Sequence, residues 1–283
     1  MILARRPASR DGERARNPVI PILGLTWLVA GCAAASEGRL EYREDFQRRF
    51  DEAGVQGVFV TYEPSEDRYL ANDFERMETA FIPASTYKIF NALVALETGV
   101  LEDETVTLPW DGVDRGWSMW NRDHDLRSAV QHSAVWFFQE VARRVGEERM
   151  QAHLDRAGYG NGDLSGGIDR FWLDGGLRIS PHEQVQFLHR LQRGELPFST
   201  RTMDLVREIL VIEETDSFVL RAKTGWGVSS SPQVGWFVGY VQRGSKTLFF
   251  AMNLDIVEEQ DAAARVAVTR RILGDLGAIG PDG

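Results

Sequence analysis

Residues 218–254, FVLRAKTGWGVSSSPQVGWFVGYVQRGSKTLFFAMNL, hold three β-rich runs in close succession. Phe218 to Thr224, Val234 to Val241 and Thr247 to Leu254 are rich in Val, Phe, Leu and aromatic residues, which suit a pleated, packed surface. Gln242-Arg243-Gly244-Ser245-Lys246 is a short, turn-like link between the last two, so that pair is expected to be antiparallel. Upstream, Gly57 to Tyr62 (GVFVTY) and Arg68 to Ala71 flank the polar turn Glu63-Pro64-Ser65-Glu66-Asp67, as in a hairpin. Between the two groups of strands the pattern turns helical. Pro83-Ala84-Ser85 opens a helix whose Ile89, Leu93 and Leu96 recur at helical spacing before Gly99 ends it. Ser128 to Gly194 holds short helical patterns cut by Gly166-Gly167 and Gly175-Gly176, and a last helix runs from about Ala262 to Leu276. The order predicts an α+β fold: one mainly antiparallel sheet flanked by helices, with a helical lobe inserted between its edges. A parallel dinucleotide-binding sheet is disfavoured.

The chain has 283 residues, 43% of them hydrophobic and 10% aromatic, enough for a sizeable core and incompatible with global disorder. Its 32 Lys and Arg against 42 Asp and Glu give a net charge of −10, which argues against nucleic acid as a partner. An anionic ligand must therefore be met by locally concentrated positive charge. Lys88, Lys223 and Lys246 are the only lysines. That matters because a buried lysine is readily neutralised, whereas arginine is not.

The N-terminal segment reads as an export signal. Arg5, Arg6, Arg10, Arg14 and Arg16 precede the apolar run Val19 to Ala30, which is short for a mature membrane span. Leu28-Val29-Ala30-Gly31-Cys32 looks like a bacterial lipobox, so residues 1–31 are expected to be removed and Cys32 lipidated. Cleavage after Ala33-Ala34-Ala35 is the rival expectation, giving a soluble periplasmic protein. Residues 32–283 are then one catalytic domain in the periplasm, with or without a lipid anchor. Cys32 is the only cysteine, so neither an internal disulfide nor a cysteine-based metal site is available.

Several familiar chemistries are missing. No dinucleotide fingerprint, phosphate-binding loop, zinc-helix motif or nucleophile elbow is present, and neither His124 with His132 nor His182 with His189 has the spacing of a zinc helix. What stands out is Ser85-Thr86-Tyr87-Lys88. Three residues apart at a helix start, the hydroxyl and the amine share a face, which offers a nucleophile with a base beside it if burial removes the lysine charge. Lys223-Thr224-Gly225 closes a β-rich run and offers a cation, a hydroxyl and a glycine that lets a ligand approach the backbone. Between them Ser133-Ala134-Val135 supplies a second hydroxyl next to a β-branched residue.

These motifs, in this order, resemble the serine β-lactamases and penicillin-binding proteins, and among them the class D β-lactamases. Tyr159-Gly160-Asn161, Phe171-Trp172-Leu173 followed by Gly175-Gly176, Ser180-Pro181-His182-Glu183-Gln184, Leu196-Pro197-Phe198-Ser199 and Arg265 extend the likeness over about Leu40 to Leu276. The resemblance implies a three-layer α/β/α transpeptidase-like fold and a β-lactam hydrolase acting through a Ser85 acyl-enzyme. It implies that Lys88 reacts with CO2 to become N6-carboxylysine and serves as the general base, with Val135 and Trp172 supplying its environment. No other cofactor and no metal is implied. The family pattern assigns the oxyanion to the backbone N–H groups of Ser85 and Trp226 after Gly225, proton relay to Ser133 with Lys223, and the drug carboxylate to Thr224 and Arg265. Two other functions share some of this chemistry. A penicillin-binding transpeptidase or carboxypeptidase carries S-x-N where Ser133-Ala134-Val135 stands, and a β-lactam sensor needs transmembrane helices, for which nothing after Cys32 is long and apolar enough. Drug spectrum and oligomeric state have no signature in the sequence.

Overall fold

A computed structural model describes residues 38–280. The expected signal segment and Cys32 lie outside the described residues. In chain order the elements are β1 (Arg39–Tyr42), α1 (Glu44–Ala53), β2 (Gly57–Glu63), β3 (Arg68–Ala71), α2 (Phe74–Glu78), a 3₁₀ turn (Ala84–Tyr87) and α3 (Lys88–Glu97). There follow α4 (Leu126–Gln131), α5 (Val135–Val145), α6 (Glu147–Ala157), α7 (Pro181–Arg193) and α8 (Thr200–Ile209). The chain returns to the sheet with β4 (Val211–Glu214), β5 (Val219–Gly227), β6 (Gln233–Arg243) and β7 (Lys246–Ile256), and ends in α9 (Asp261–Asp275).

The strands form one seven-stranded sheet in the order β1-β3-β2-β7-β6-β5-β4. Every pair is antiparallel except β1 with β3. Early strands pair with the last one, Val60 opposite Ala251, so the helical segments α3 to α8 enter between the two halves of the sheet as the sequence predicts. The β6–β7 connection is a two-residue turn, Gly244-Ser245, with Arg243 opposite Lys246 and Gly244 at φ +60°. Lys246 stands exposed at that turn.

Both sheet faces are covered, which explains why the strands read as apolar runs without polar alternation. Along β7, Phe249 and Ala251 join the core shared with α3, α5 and α7, while Phe250 and Met252 join the core shared with α1 and α9. The result is three layers, helices on either side of the sheet. Helix α3 sits in the first core with every residue from Lys88 to Leu96 buried. Its apolar residues at helical spacing mark only part of what it buries, and an all-round apolar helix belongs inside a protein. Its start also differs from expectation: Ala84 to Tyr87 coil as a 3₁₀ turn and the α-helix begins at Lys88. No helix among the described residues is long and apolar enough to cross a membrane.

Candidate active site

The site begins with how the chain approaches Ser85. Ala84 has φ +48°, a left-handed conformation that costs a non-glycine residue of order 1 kcal/mol and persists only where its surroundings hold it. The carbonyls before it are held. The Trp236 indole donates to the Ile82 carbonyl at 2.9 Å, and the Thr86 hydroxyl donates to the Pro83 carbonyl at 2.7 Å while accepting from the Gln184 amide at 2.8 Å. Strand β5 passes close by. A Cβ on Gly225 would lie 3.1 Å from Thr86 Cγ2 and 3.2 Å from the Pro83 oxygen, which accounts for glycine there.

Lys88 turns inward from α3 and is fully buried, 0% exposed. Its Nζ lies 2.6 Å from Ser85 Oγ, 3.0 Å from the Ser133 carbonyl oxygen and 3.2 Å from Ser133 Oγ, with the Phe138 ring centroid 5.8 Å away. No carboxylate forms an ion pair with it among the described residues. Burial, and then the nearby charge of Lys223, hold its pKa well below the usual lysine value. A neutral amine has two N–H donors and one lone pair. The Ser133 oxygens accept the donors, which leaves the lone pair for the Ser85 hydroxyl proton.

Ser133 is itself in a left-handed conformation, φ +55°, on the connection between α4 and α5. The Trp120 indole donates to the neighbouring His132 carbonyl at 2.8 Å, and the Trp136 indole donates to the Trp120 carbonyl at 2.7 Å, a relay that braces the turn. Lys223 Nζ lies 2.9 Å from Ser133 Oγ and 3.0 Å from the Thr224 carbonyl oxygen. Lys223 is only 5% exposed, and burial followed by the charge of Arg265 brings its pKa down to about 7. One hydroxyl thus bridges two lysine amines.

Backbone geometry places Trp226 as well. The Ala222 N–H donates to the Leu210 carbonyl on the β4 side at 2.9 Å, and a strand repeats every two residues, so the N–H groups of Thr224 and Trp226 face the same edge. Pairing with β4 ends at Arg221, so those two groups have no strand opposite them. Arg265 reaches the site from α9. It donates from Nη1 to the Gly225 carbonyl, its guanidinium carbon lies 5.5 Å from the centroid of the Trp226 ring, and burial lowers its pKa. Gly235 makes room for it: a Cβ there would lie 2.8 Å from Arg265 Cδ. Neither Arg265 nor Lys223 has a carboxylate partner among the described residues, so an acidic protein gathers two basic groups here with no counter-charge beside them.

Ser85, Ser133, Val135, Thr224, Trp226 and Arg265 line one cleft of about 710 Å³. Trp172, which precedes the lining residue Leu173, is 0% exposed and stacked on Tyr87 with ring centroids 5.2 Å apart. Its buried indole N–H has no partner among the described residues. Gly225 lines the same cleft, and Lys88 and Lys223 meet it through their contacts with Ser85 and Ser133. The sequence assigns no role to Phe138 and Trp120, and Tyr87 and Gln184 stand in it only as members of quoted motifs. Phe138 lies by Lys88, Tyr87 stacks on Trp172, and Trp120 and Gln184 brace the two strained turns. Their only signal is that of core aromatics and a polar residue on a helix.

A serine with a buried lysine amine at its hydroxyl, a second serine between two amines and an open strand edge are the parts of a serine acyl-transfer enzyme. The comparisons agree and are narrower. The family model for the penicillin binding protein transpeptidase domain matches residues 51–274. β-Lactamase OXA-5 of Pseudomonas aeruginosa is 44% identical over 83% of this chain and 89% of its own length. β-Lactamase OXA-48 of Klebsiella pneumoniae is 39% identical over 89% of this chain and 96% of its own. The solved structure of the class D β-lactamase YbXI from Nostoc superposes with a TM-score of 0.81 at 47% identity, covering 83% of this chain and 99% of that one. The chain belongs to the class D β-lactamases.

Proposed function

We propose that the protein hydrolyses the lactam amide of penicillin- and cephalosporin-type antibiotics in two steps that share Lys88 as proton acceptor. The observation that carries this is the fully buried Lys88 amine 2.6 Å from Ser85 Oγ, where burial holds its pKa well below the usual lysine value. Ser85 gives up its proton and its oxygen bonds to the lactam carbonyl carbon. The oxyanion sits between the N–H groups of Ser85 and Trp226, which are fixed before the reaction and need no reorganisation. Ser133, fed by Lys223, passes a proton to the departing nitrogen as the C–N bond breaks. Thr224 and Arg265 hold the substrate carboxylate. Lys88 returns its first proton through Ser133 to Lys223. Water then attacks the Ser85 ester and gives its proton to the Lys88 side chain, the ester C–O bond breaks, and that proton passes to Ser85 Oγ as the opened acid leaves.

A lysine this dry fits carboxylation by CO2. A buried carbamate needs a donor, and the unpartnered N–H of Trp172, whose ring stacks on Tyr87, the residue before Lys88, can serve as one. Joined to Nζ, CO2 turns a weak base into an anionic carboxylate-like one and releases a proton. Phe138 and Val135 keep the surroundings apolar.

Intact-protein mass spectrometry of residues 36–283 with a penicillin tests the activity. Product should accumulate in large excess over enzyme with only a transient adduct. A stable adduct without product would instead point to a penicillin-binding or sensor role. The carboxylate clamp has its own test: Gly235→Ala, which crowds Arg265 Cδ, should raise KM for anionic penicillins about fivefold with a smaller change in kcat. An unchanged KM would remove Arg265 from substrate binding.

A further inference from the structure

A second cavity, of about 450 Å³, adjoins the active-site cleft: Thr224 lines both, and Lys223, which reaches Ser133 of the cleft at 2.9 Å, lines the second. It opens beside β5 where pairing with β4 ends. Val130, Ile209, Ile212 and Val266 give it apolar walls, and Ile212 is 52% exposed, an unusual position for isoleucine beside a polar catalytic cleft. Arg127 and Gln131, one turn apart on α4, supply its polar side. Arg127 is exposed and has no carboxylate partner among the described residues, although many of the chain's arginines are paired. It also sits in the first turn of α4, where the helix dipole disfavours a cation. Its charge is therefore open to an external anion.

We infer that this groove is a substrate subsite that accepts the ring substituent beside the β-lactam carboxylate, and that it favours an arm apolar along its length and anionic at its end. The inference rests on the binding pose proposed above. With the reacting carbonyl at Ser85 and the ring carboxylate at Thr224 and Arg265, a substituent on the neighbouring ring carbon leads past Thr224 into the groove. Its body covers Ile212 and Val266, and its terminal anion meets Arg127.

Two cephalosporins test this. They share one acyl side chain and carry a non-departing phenylvinyl arm at C3, ending in a carboxylate in one and in its methyl ester in the other. The acid should have the higher kcat/KM, by about fivefold and mainly through KM, as an exposed ion pair allows. Arg127→Gln should bring the acid-to-ester ratio close to one. Arg127→Glu should invert it and favour a third analogue ending in trimethylammonium. Added salt should narrow the ratio in the wild type. The same ratio in all three proteins overturns the subsite. Hydrolysis of an armless penicillin by the wild type separates the two possible failures: if it is absent, the active-site reading falls, and if it is present with a flat ratio, only the subsite does.

Discussion

Lys88→Ala protein mixed with benzylpenicillin should accumulate slowly as a Ser85 adduct and then remain there. Both halves of the cycle need a group that takes a proton, and Lys88 is the side chain within hydrogen-bond distance of Ser85 Oγ that offers one. Ser133 Oγ lies by the same amine but has no lone-pair basicity to replace it. A positioned general base is worth about 10²–10⁴-fold. Acylation should fall within that range, because the strained lactam and the fixed N–H donors still assist attack. Release from the ester, which has no ring strain to help, should fall by at least about 10³-fold. The check is a mass time course: a persistent adduct with negligible product. Lys88→Met, closer in volume, serves as the folding control and should trap in the same way. Turnover at the wild-type rate in either variant would sink the mechanism.

Trp172→Phe should leave a folded enzyme that needs added bicarbonate. Phenylalanine keeps much of the contact with Tyr87 and Phe171 while removing the buried N–H. A hydrogen bond to a charged group contributes about 1.5–3 kcal/mol, so a carbamate on Lys88 deprived of that donor should lose roughly 10- to 100-fold in stability. At ambient CO2 most of the enzyme would then lack the modification. Activity should drop by a similar factor and climb as bicarbonate is raised, whereas the wild type should respond only after acid treatment and dialysis strip it. A drop that bicarbonate does not reverse would mean that Trp172 only fills space. Thermal unfolding of the variant separates loss of packing from loss of the donor.

The parts of the site that were legible in the sequence are those where chemistry restricts residue type within a short span. Ser85 with Lys88 and Lys223 with Thr224 and Gly225 fall in this class, because a nucleophile, a base and a close backbone approach allow few substitutes. Phe138, Tyr87 and Trp120 were not legible. An aromatic ring that dries a lysine or caps a carbonyl has the same local pattern as any core aromatic, and only the fold says which one faces Nζ. Among the strands, β2, β3 and β5 to β7 announced themselves as runs of bulky residues. Strands β1 (RLEY) and β4 (VIEE) did not, since each is four residues long, lies at a sheet edge and is half charged. The 3₁₀ turn before α3 was read as ordinary helix because the strain at Ala84 comes from tertiary bonds to Trp236 and Gln184 that local sequence does not encode.

With Lys88 and Lys223 sealed beneath the cleft, Lys246 is the one side-chain amine that bulk reagents can reach. It sits at the β6–β7 hairpin, and the register that places Val219 opposite Gln242 and Trp226 opposite Gly235 puts that hairpin at the far end of the strands from the catalytic groups. Apart from the N-terminus, amine-directed coupling to a bead, dye or sensor surface would therefore attach the molecule at a single point and leave its working end facing the solution.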